Sequence, residues 1–281
     1  MPPIVRAYAP SRYGQIHYRI VTPDGPTEAP PLLCLHQTPG NGVDWTPVLP
    51  TLGSKRVVIA ADTPGYGMSD APPEPAAIED FAAIMLDLMA GLAEAGIVPE
   101  GLFDVMGFHT GSVIATDMAS RAPDRVRRAV LFGLAAYPAE VREAKLANLL
   151  THFPQPANDL SHVEKLWAII QQLSDPRIGP EEKHVSMAEC LRLGARMPWG
   201  YVSVYRYDFL GAMPRVQQPV LIFNPEDDLW ALTHQVAHLF PNGERYDMPG
   251  VKHGVLSLEQ GRVVAKIEGF LGAPVDAPVS G

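Results

Sequence analysis

The strongest local constraint in this chain is the stretch Asp104-Val105-Met106-Gly107-Phe108-His109-Thr110-Gly111-Ser112-Val113-Ile114-Ala115. A short apolar run ends at Gly107, a second glycine follows at Gly111, and apolar residues then recur at helical spacing through Val113, Ile114 and Met118. A strand that turns this sharply into a helix needs glycines around the tip, to permit the strained turn and to let strand and helix pack closely. The pattern reads as a nucleophile elbow, a turn that exposes its middle residue at the end of a sheet. Ser, Cys or Asp is expected at the tip; this chain has His109.

The rest of the chain supplies a matching frame. Gln15–Thr22 alternates through Ile16, Tyr18 and Ile20, the mark of a half-buried strand. Leu32–Leu35, Arg56–Ala61, Leu102–Met106 and Val126–Phe132 are largely apolar, as in the buried strands of a parallel sheet. Trp45–Leu52 reads as a short helix, Ile78–Ala95 as an amphipathic one with Phe81, Met85, Leu88 and Leu92 on one face, and Thr110–Ala122 as a helix stopped by Pro123. Strands alternating with helices predict a mainly parallel sheet with helices on both faces. From Leu134 to Gly211 that rhythm breaks: helical stretches at Val163–Leu173 and Met187–Leu193 and the aromatics Phe153, Trp167, Trp199, Tyr201, Tyr205 and Tyr207 predict a helical cap. The rhythm resumes with strands at Pro219–Phe223 and Glu244–Met248 and helices at His234–Phe240 and Gly254–Leu271; the last ten residues read as a loose tail. The expected division is a core of residues 1–133 and 212–281 with a cap insertion at 134–211.

Composition narrows the class. With 22 Lys and Arg against 31 Asp and Glu the net charge is −9, and no basic cluster occurs, so no nucleic-acid partner is expected. Cys34 lies inside an apolar run and Cys190 far from it, which suggests no disulfide framework. No signal peptide is read in Met1–Pro10 and no apolar run approaches membrane-spanning length, so a cytoplasmic chain, monomeric or homodimeric, without membrane contact is expected.

Five motifs in order give a specific resemblance. His36-Gln37-Thr38-Pro39-Gly40, Asp62-Thr63-Pro64-Gly65-Tyr66-Gly67-Met68-Ser69, Gly107-Phe108-His109-Thr110-Gly111, Asn224-Pro225-Glu226-Asp227-Asp228 and Pro249-Gly250-Val251-Lys252-His253 each follow a strand. Over nearly its whole length the chain resembles the capped α/β-hydrolase superfamily. The resemblance implies an eight-stranded, mainly parallel sheet, a small-molecule substrate and no cofactor or metal. It implies Asp228 and His253 as acid and base, and the backbone N–H groups of Thr38 and Thr110 as an oxyanion hole. Asp62 and Ser69 read as turn formers. His36, more often a tie between loops, Gln37, Trp167, Trp199 and Tyr205 are expected as substrate contacts, the aromatics lining an apolar pocket.

The chain departs from the family at Gln37, where Gly is usual, at Pro225, at Lys252 and above all at His109. Four roles for His109 stand open. It binds or polarises substrate while Asp228–His253 activates water for attack on an ester, lactone or related acyl carbon; it is itself the nucleophile; it moves protons in a non-hydrolytic lyase or cofactor-independent oxygenase reaction; or the site only binds a ligand. A zinc site on His109, His253 and an acid is a fifth and minor possibility. Two crowded imidazoles are expected to lower the pKa of at least one.

Overall fold

A computed structural model describes residues 2–273. Eight strands form one sheet in the order β1-β2-β4-β3-β5-β6-β7-β8, with β1 Val5–Ser11, β2 Gly14–Val21, β3 Leu32–Leu35, β4 Val58–Ala61, β5 Phe103–Phe108, β6 Val126–Phe132, β7 Val220–Pro225 and β8 Gly243–Met248. The pairs β1–β2 and β2–β4 are antiparallel, and every later pair is parallel. The central strands are apolar on both faces because both faces are covered. In β6, Ala129 and Leu131 point to one core layer while Val130 and Phe132 point to the other. Helices α2 Ile78–Glu94 and α3 Thr110–Arg121 contribute to the first layer; α1 Leu49–Leu52 and α12 Gln260–Gly272 contribute to the second.

Between β6 and β7 the described chain is helical: α4 Ala139–Ala147, α5 Leu149–His152, α6 Ser161–Leu173, α7 Pro180–Leu193, α8 Trp199–Arg206 and α9 Phe209–Ala212. An isolated bridge in this segment joins Ser174 to His253. The remaining helices are α10 Trp230–Val236 and α11 Val255–Leu258. Among the described residues no helix is long and apolar enough to cross a membrane.

Three local expectations change. Strand β1 was not foreseen, because its residues are exposed or half-exposed along its whole length and carry no apolar face. The helix expected over Trp45–Leu52 splits into a 3-10 turn at Gly42–Trp45 and α1, since Pro47 and Pro50 lack the N–H groups that a continuous ladder needs. The final helix breaks at Glu259, which separates α11 from α12. The expected tail lies, from residue 274 on, outside the described residues.

An aromatic layer supports the functional end of the sheet. Phe132 stacks between Phe108 at 5.4 Å and Phe223 at 4.4 Å, and Trp45 meets Phe108 and Phe132 edge-on. Truncating one such buried Phe costs about 3–5 kcal/mol, so this floor is stiff. The ring of Phe108 lies 4.8 Å from that of His109 and 6.4 Å from that of His253.

Candidate active site

The turn after β5 is strained in the way its sequence requires. His109 sits at φ 48°, ψ −104°, a conformation that L residues rarely adopt. The flanking glycines are dictated by contact. A Cβ at Gly107 would stand 2.2 Å from the Gly111 carbonyl oxygen, and one at Gly111 would stand 2.0 Å from that of Leu35. Ser112 is sealed beneath the turn, its hydroxyl donating to the carbonyl of Gly107, so it offers no substitute nucleophile.

From this tip the imidazole reaches sideways. His109 Nε2 lies 2.9 Å from Asp227 Oδ2 at the end of β7, across the end of β6. Gly133 makes that path possible: at φ +67° it runs beneath the ring, and a Cβ there would stand 2.6 Å from Cδ2 and 2.8 Å from Nε2 of His109. The Leu229 N–H donates to Asp227 Oδ1 at 2.8 Å and fixes the carboxylate. Next in the chain, Asp228 Oδ1 lies 2.8 Å from His253 Nε2. The two imidazoles are 5.1 Å apart, edge to face. Two adjacent acids therefore each hold one histidine, and the two pairs face each other.

Charge follows from this pairing. Burial alone pushes His109 down, but the charge and hydrogen bond of Asp227, with Asp228 behind it, outweigh burial and hold His109 above its ordinary 6.5. The expected lowering by crowding is reversed for His109, because each imidazole has its own carboxylate. Burial pushes Asp228 up, yet the bond to His253 and the two nearby imidazoles hold it well below the ordinary carboxylate range.

The other predicted residues fall in several places. His36 is 1% exposed; its Nδ1 donates to the Gln37 carbonyl and its Nε2 accepts the Thr63 N–H, so no ring nitrogen is left for a substrate. The expectation of His36 as a substrate contact is corrected to a tie between loops. Thr38 is nearly buried, its side chain against Gly200 of α8. Thr110 opens α3, where first-turn N–H groups have no partner within the helix. Trp167 packs beside Leu166 and Met187, its ring 5.0 Å from that of His184, and Trp199 is half-buried in the first turn of α8. Among the described residues neither makes a ring contact with His109 or His253.

Sequence reasoning missed Asp227, Gly133 and Tyr137 here, and named Tyr201 only as one of the aromatics between β6 and β7. Asp227 carried only the signal of an acid next to Asp228, and Gly133 only that of a glycine directly after a strand. Tyr137 and Tyr201 join Tyr205 in one aromatic group: Tyr205 is 6.0 Å from Tyr137 and 6.2 Å from Tyr201 between ring centres. Burial raises all three phenols, and the charge of Asp228 adds to each; Tyr205 is pushed up to about 12. Asp62 proved more than a turn former. It accepts from Gly42 and Met68 N–H groups, Arg19 and His17, joining β2 to both loops.

The segment between β6 and β7 is bolted to the sheet around this centre. The Gly200 N–H donates to Tyr66 Oη at 2.6 Å, the Gly67 N–H to Glu189 Oε1, and Ser203 Oγ to the Ala76 carbonyl. Asp175 N–H donates to the His253 carbonyl at 2.9 Å, and Lys252 N–H to Asp175 Oδ2 at 3.0 Å. The loop bearing His253 is thus held from above.

The family described as "alpha/beta hydrolase fold" matches residues 30–169. A 2-hydroxymuconate semialdehyde hydrolase of Pseudomonas sp. (strain CF600) is 34% identical over 117 residues, 40% of this chain and 39% of that protein. Bifunctional epoxide hydrolase 2 of Mus musculus is 29% identical over 208 residues, 70% of this chain and 32% of that protein. The chain spans less than half the length of these curated relatives. Among solved structures, a hydrolase from Pseudomonas aeruginosa PA01 superposes with TM-score 0.76 at 21% identity, covering 95% of this chain and 98% of that one. The enol-lactonase from Burkholderia xenovorans LB400 superposes with TM-score 0.74 at 20% identity, covering 95% and 100%. With its sheet order, strained elbow and motif order, the chain belongs to the α/β-hydrolase superfamily.

Proposed function

We propose that this protein is a hydrolase of small, largely apolar esters, lactones or related acyl compounds, with water itself as the nucleophile. The observation that carries this reading is the double pairing of His109 with Asp227 and His253 with Asp228. A histidine held above its ordinary pKa by its own carboxylate is a poor nucleophile and a good hydrogen-bond donor. His109 therefore polarises the substrate oxygen, helped by the N–H groups of Thr38 and Thr110. With Nε2–H donated to Asp228, His253 keeps Nδ1 as the basic nitrogen. It takes a proton from water as the water oxygen bonds to the acyl carbon. The bond to the leaving oxygen then breaks, and His253 returns the proton to it. Residues 134–211 act as the cap, and Tyr137, Tyr201 and Tyr205 supply an apolar wall beside Asp228. The names of the semialdehyde hydrolase and the enol-lactonase agree with acyl or related bond hydrolysis.

The test is turnover over an ester and lactone panel, run with and without added divalent metal. His253→Ala is expected to lower turnover by about a hundredfold or more while ligand binding survives. No turnover by the parent anywhere on the panel, or full rate in His253→Ala, would refute the reading. The facing acid–base pairs favour one alternative, proton transfer without hydrolysis. Products formed in ¹⁸O-water that carry no label would establish it.

A further inference from the structure

The same four side chains have a property that two separate pairs need not share. One nitrogen or oxygen from each of His109, Asp227, Asp228 and His253 lies within 4.8 Å of all the others. A divalent transition metal bound by imidazole nitrogen and carboxylate oxygen at about 2.0–2.2 Å holds its ligand atoms roughly 3–4 Å apart. Side-chain movements of about 1 Å would bring all four onto one ion. The ligands come from the ends of β5 and β7 and from the loop after β8, and Asp227 is already oriented through Oδ1 by the Leu229 N–H. Such outer bonds are what hold metal ligands in place.

Charge points the same way. Among the described residues no Lys or Arg forms an ion pair with Asp227 or Asp228, and their only ion-pair partners are the two imidazoles. A divalent cation on two neutral imidazoles and two carboxylates leaves the group electrically neutral. One side is deep, with the Asp227 side chain 1% exposed; the other is open, with Asp228 48% exposed, which leaves room for water or substrate on the ion. Two imidazole and two carboxylate ligands suit zinc, cobalt, manganese or iron(II) rather than calcium or magnesium.

We propose that His109, Asp227, Asp228 and His253 form a binding site for one divalent transition-metal ion of the zinc class. The proposal rests on the reading of this site as the place where water is activated, and it moves that activation from His253 to the ion. Water on such an ion gives up a proton to solvent near neutral pH. The hydroxide attacks the acyl carbon, the bond to the leaving oxygen breaks, and that oxygen takes a proton from water. In the loaded protein His253 is then a ligand rather than the base.

The experiment uses Co²⁺ as probe on full-length protein stripped with a chelator. Visible absorption and metal analysis after gel filtration follow binding; melting curves and turnover are recorded separately. The expected result is one Co²⁺ per chain with ligand-field bands, displacement by Zn²⁺, and a Tm raised by the ion. His109→Ala and Asp227→Asn should each bind at least tenfold more weakly. If either fails to melt cooperatively, His253→Gln or Asp228→Asn takes its place. Binding far below one equivalent, or unchanged affinity in every ligand variant, means an adventitious ion only and overturns the proposal. Full turnover by the stripped protein overturns the metal and leaves the hydrolase reading standing. Stoichiometric Co²⁺ without turnover on the panel upholds the site and counts against hydrolysis.

Discussion

Gly133→Ala probes the device that lets His109 reach Asp227. The added methyl would stand 2.6 Å from Cδ2 and 2.8 Å from Nε2 of the imidazole. Ordinary carbon contacts are about 3.5–4.0 Å, so ring or strand end must shift by about 1 Å. Overpacking of this kind costs about 1–3 kcal/mol. Holding φ at +67° with a side chain adds about 1–2 kcal/mol. The expected destabilisation is about 2–5 kcal/mol, read as a lower urea midpoint at unchanged slope. A shift of 1 Å at a reacting group can lower turnover by about a hundredfold. The double variant His109→Ala/Gly133→Ala isolates the contact: without the imidazole the two closest clashes disappear and only the tighter-than-usual approach to Leu229 at 3.2 Å remains, so the cycle should give a coupling of about 1–3 kcal/mol. Strictly additive effects, or a Gly133→Ala protein as stable and active as the parent, would refute the proposed packing of His109 over Gly133.

Three further outcomes follow. Tyr66→Phe leaves the buried Gly200 N–H without its 2.6 Å acceptor and should lower stability by about 1–3 kcal/mol in urea unfolding. Its KM should rise more than its kcat falls if it loosens the helical segment between β6 and β7. Asp175 is held well below its ordinary 3.8, first by Arg177 and also by the Lys252 N–H. Its contribution to stability is therefore complete above pH 4 or so and fades as pH falls further. Asp175→Asn should lower the Tm at neutral pH and narrow the gap to the parent as the buffer is acidified below that point; a gap that widens in acid would contradict the assignment. His109→Ser should lose native turnover, and recovery of parental rates on the native substrate would show that the imidazole has no special task.

The sheet was legible because β3, β5, β6 and β7 are largely apolar on both faces and because the motifs each close a strand; the order of its strands was not read from the sequence. Strand β1 escaped because an edge strand with Val5 53% and Tyr8 48% exposed buries too little to leave a pattern. His109, Asp228 and His253 could be named from their places after strands. That Asp227 holds His109 was not legible: the direction its side chain takes beside Asp228 is settled by the sheet and by the Leu229 N–H. His36 was legible as a tie between loops but its partners were not, since the acceptor and donor that occupy its nitrogens come from Gln37 and from Thr63 on another loop. Tyr201 and Tyr205 meet because they stand four residues apart on α8, whereas Tyr137, in the loop before α4, joins them only through packing between segments that its local sequence does not encode.

The most direct test of water as nucleophile is rapid-quench mass spectrometry of the parent enzyme during a single turnover on its best panel substrate. The account predicts that the peptide holding His109 keeps its unmodified mass at every time point while product accumulates. Substrate mass on that peptide, forming and decaying fast enough to carry the observed rate, would contradict it.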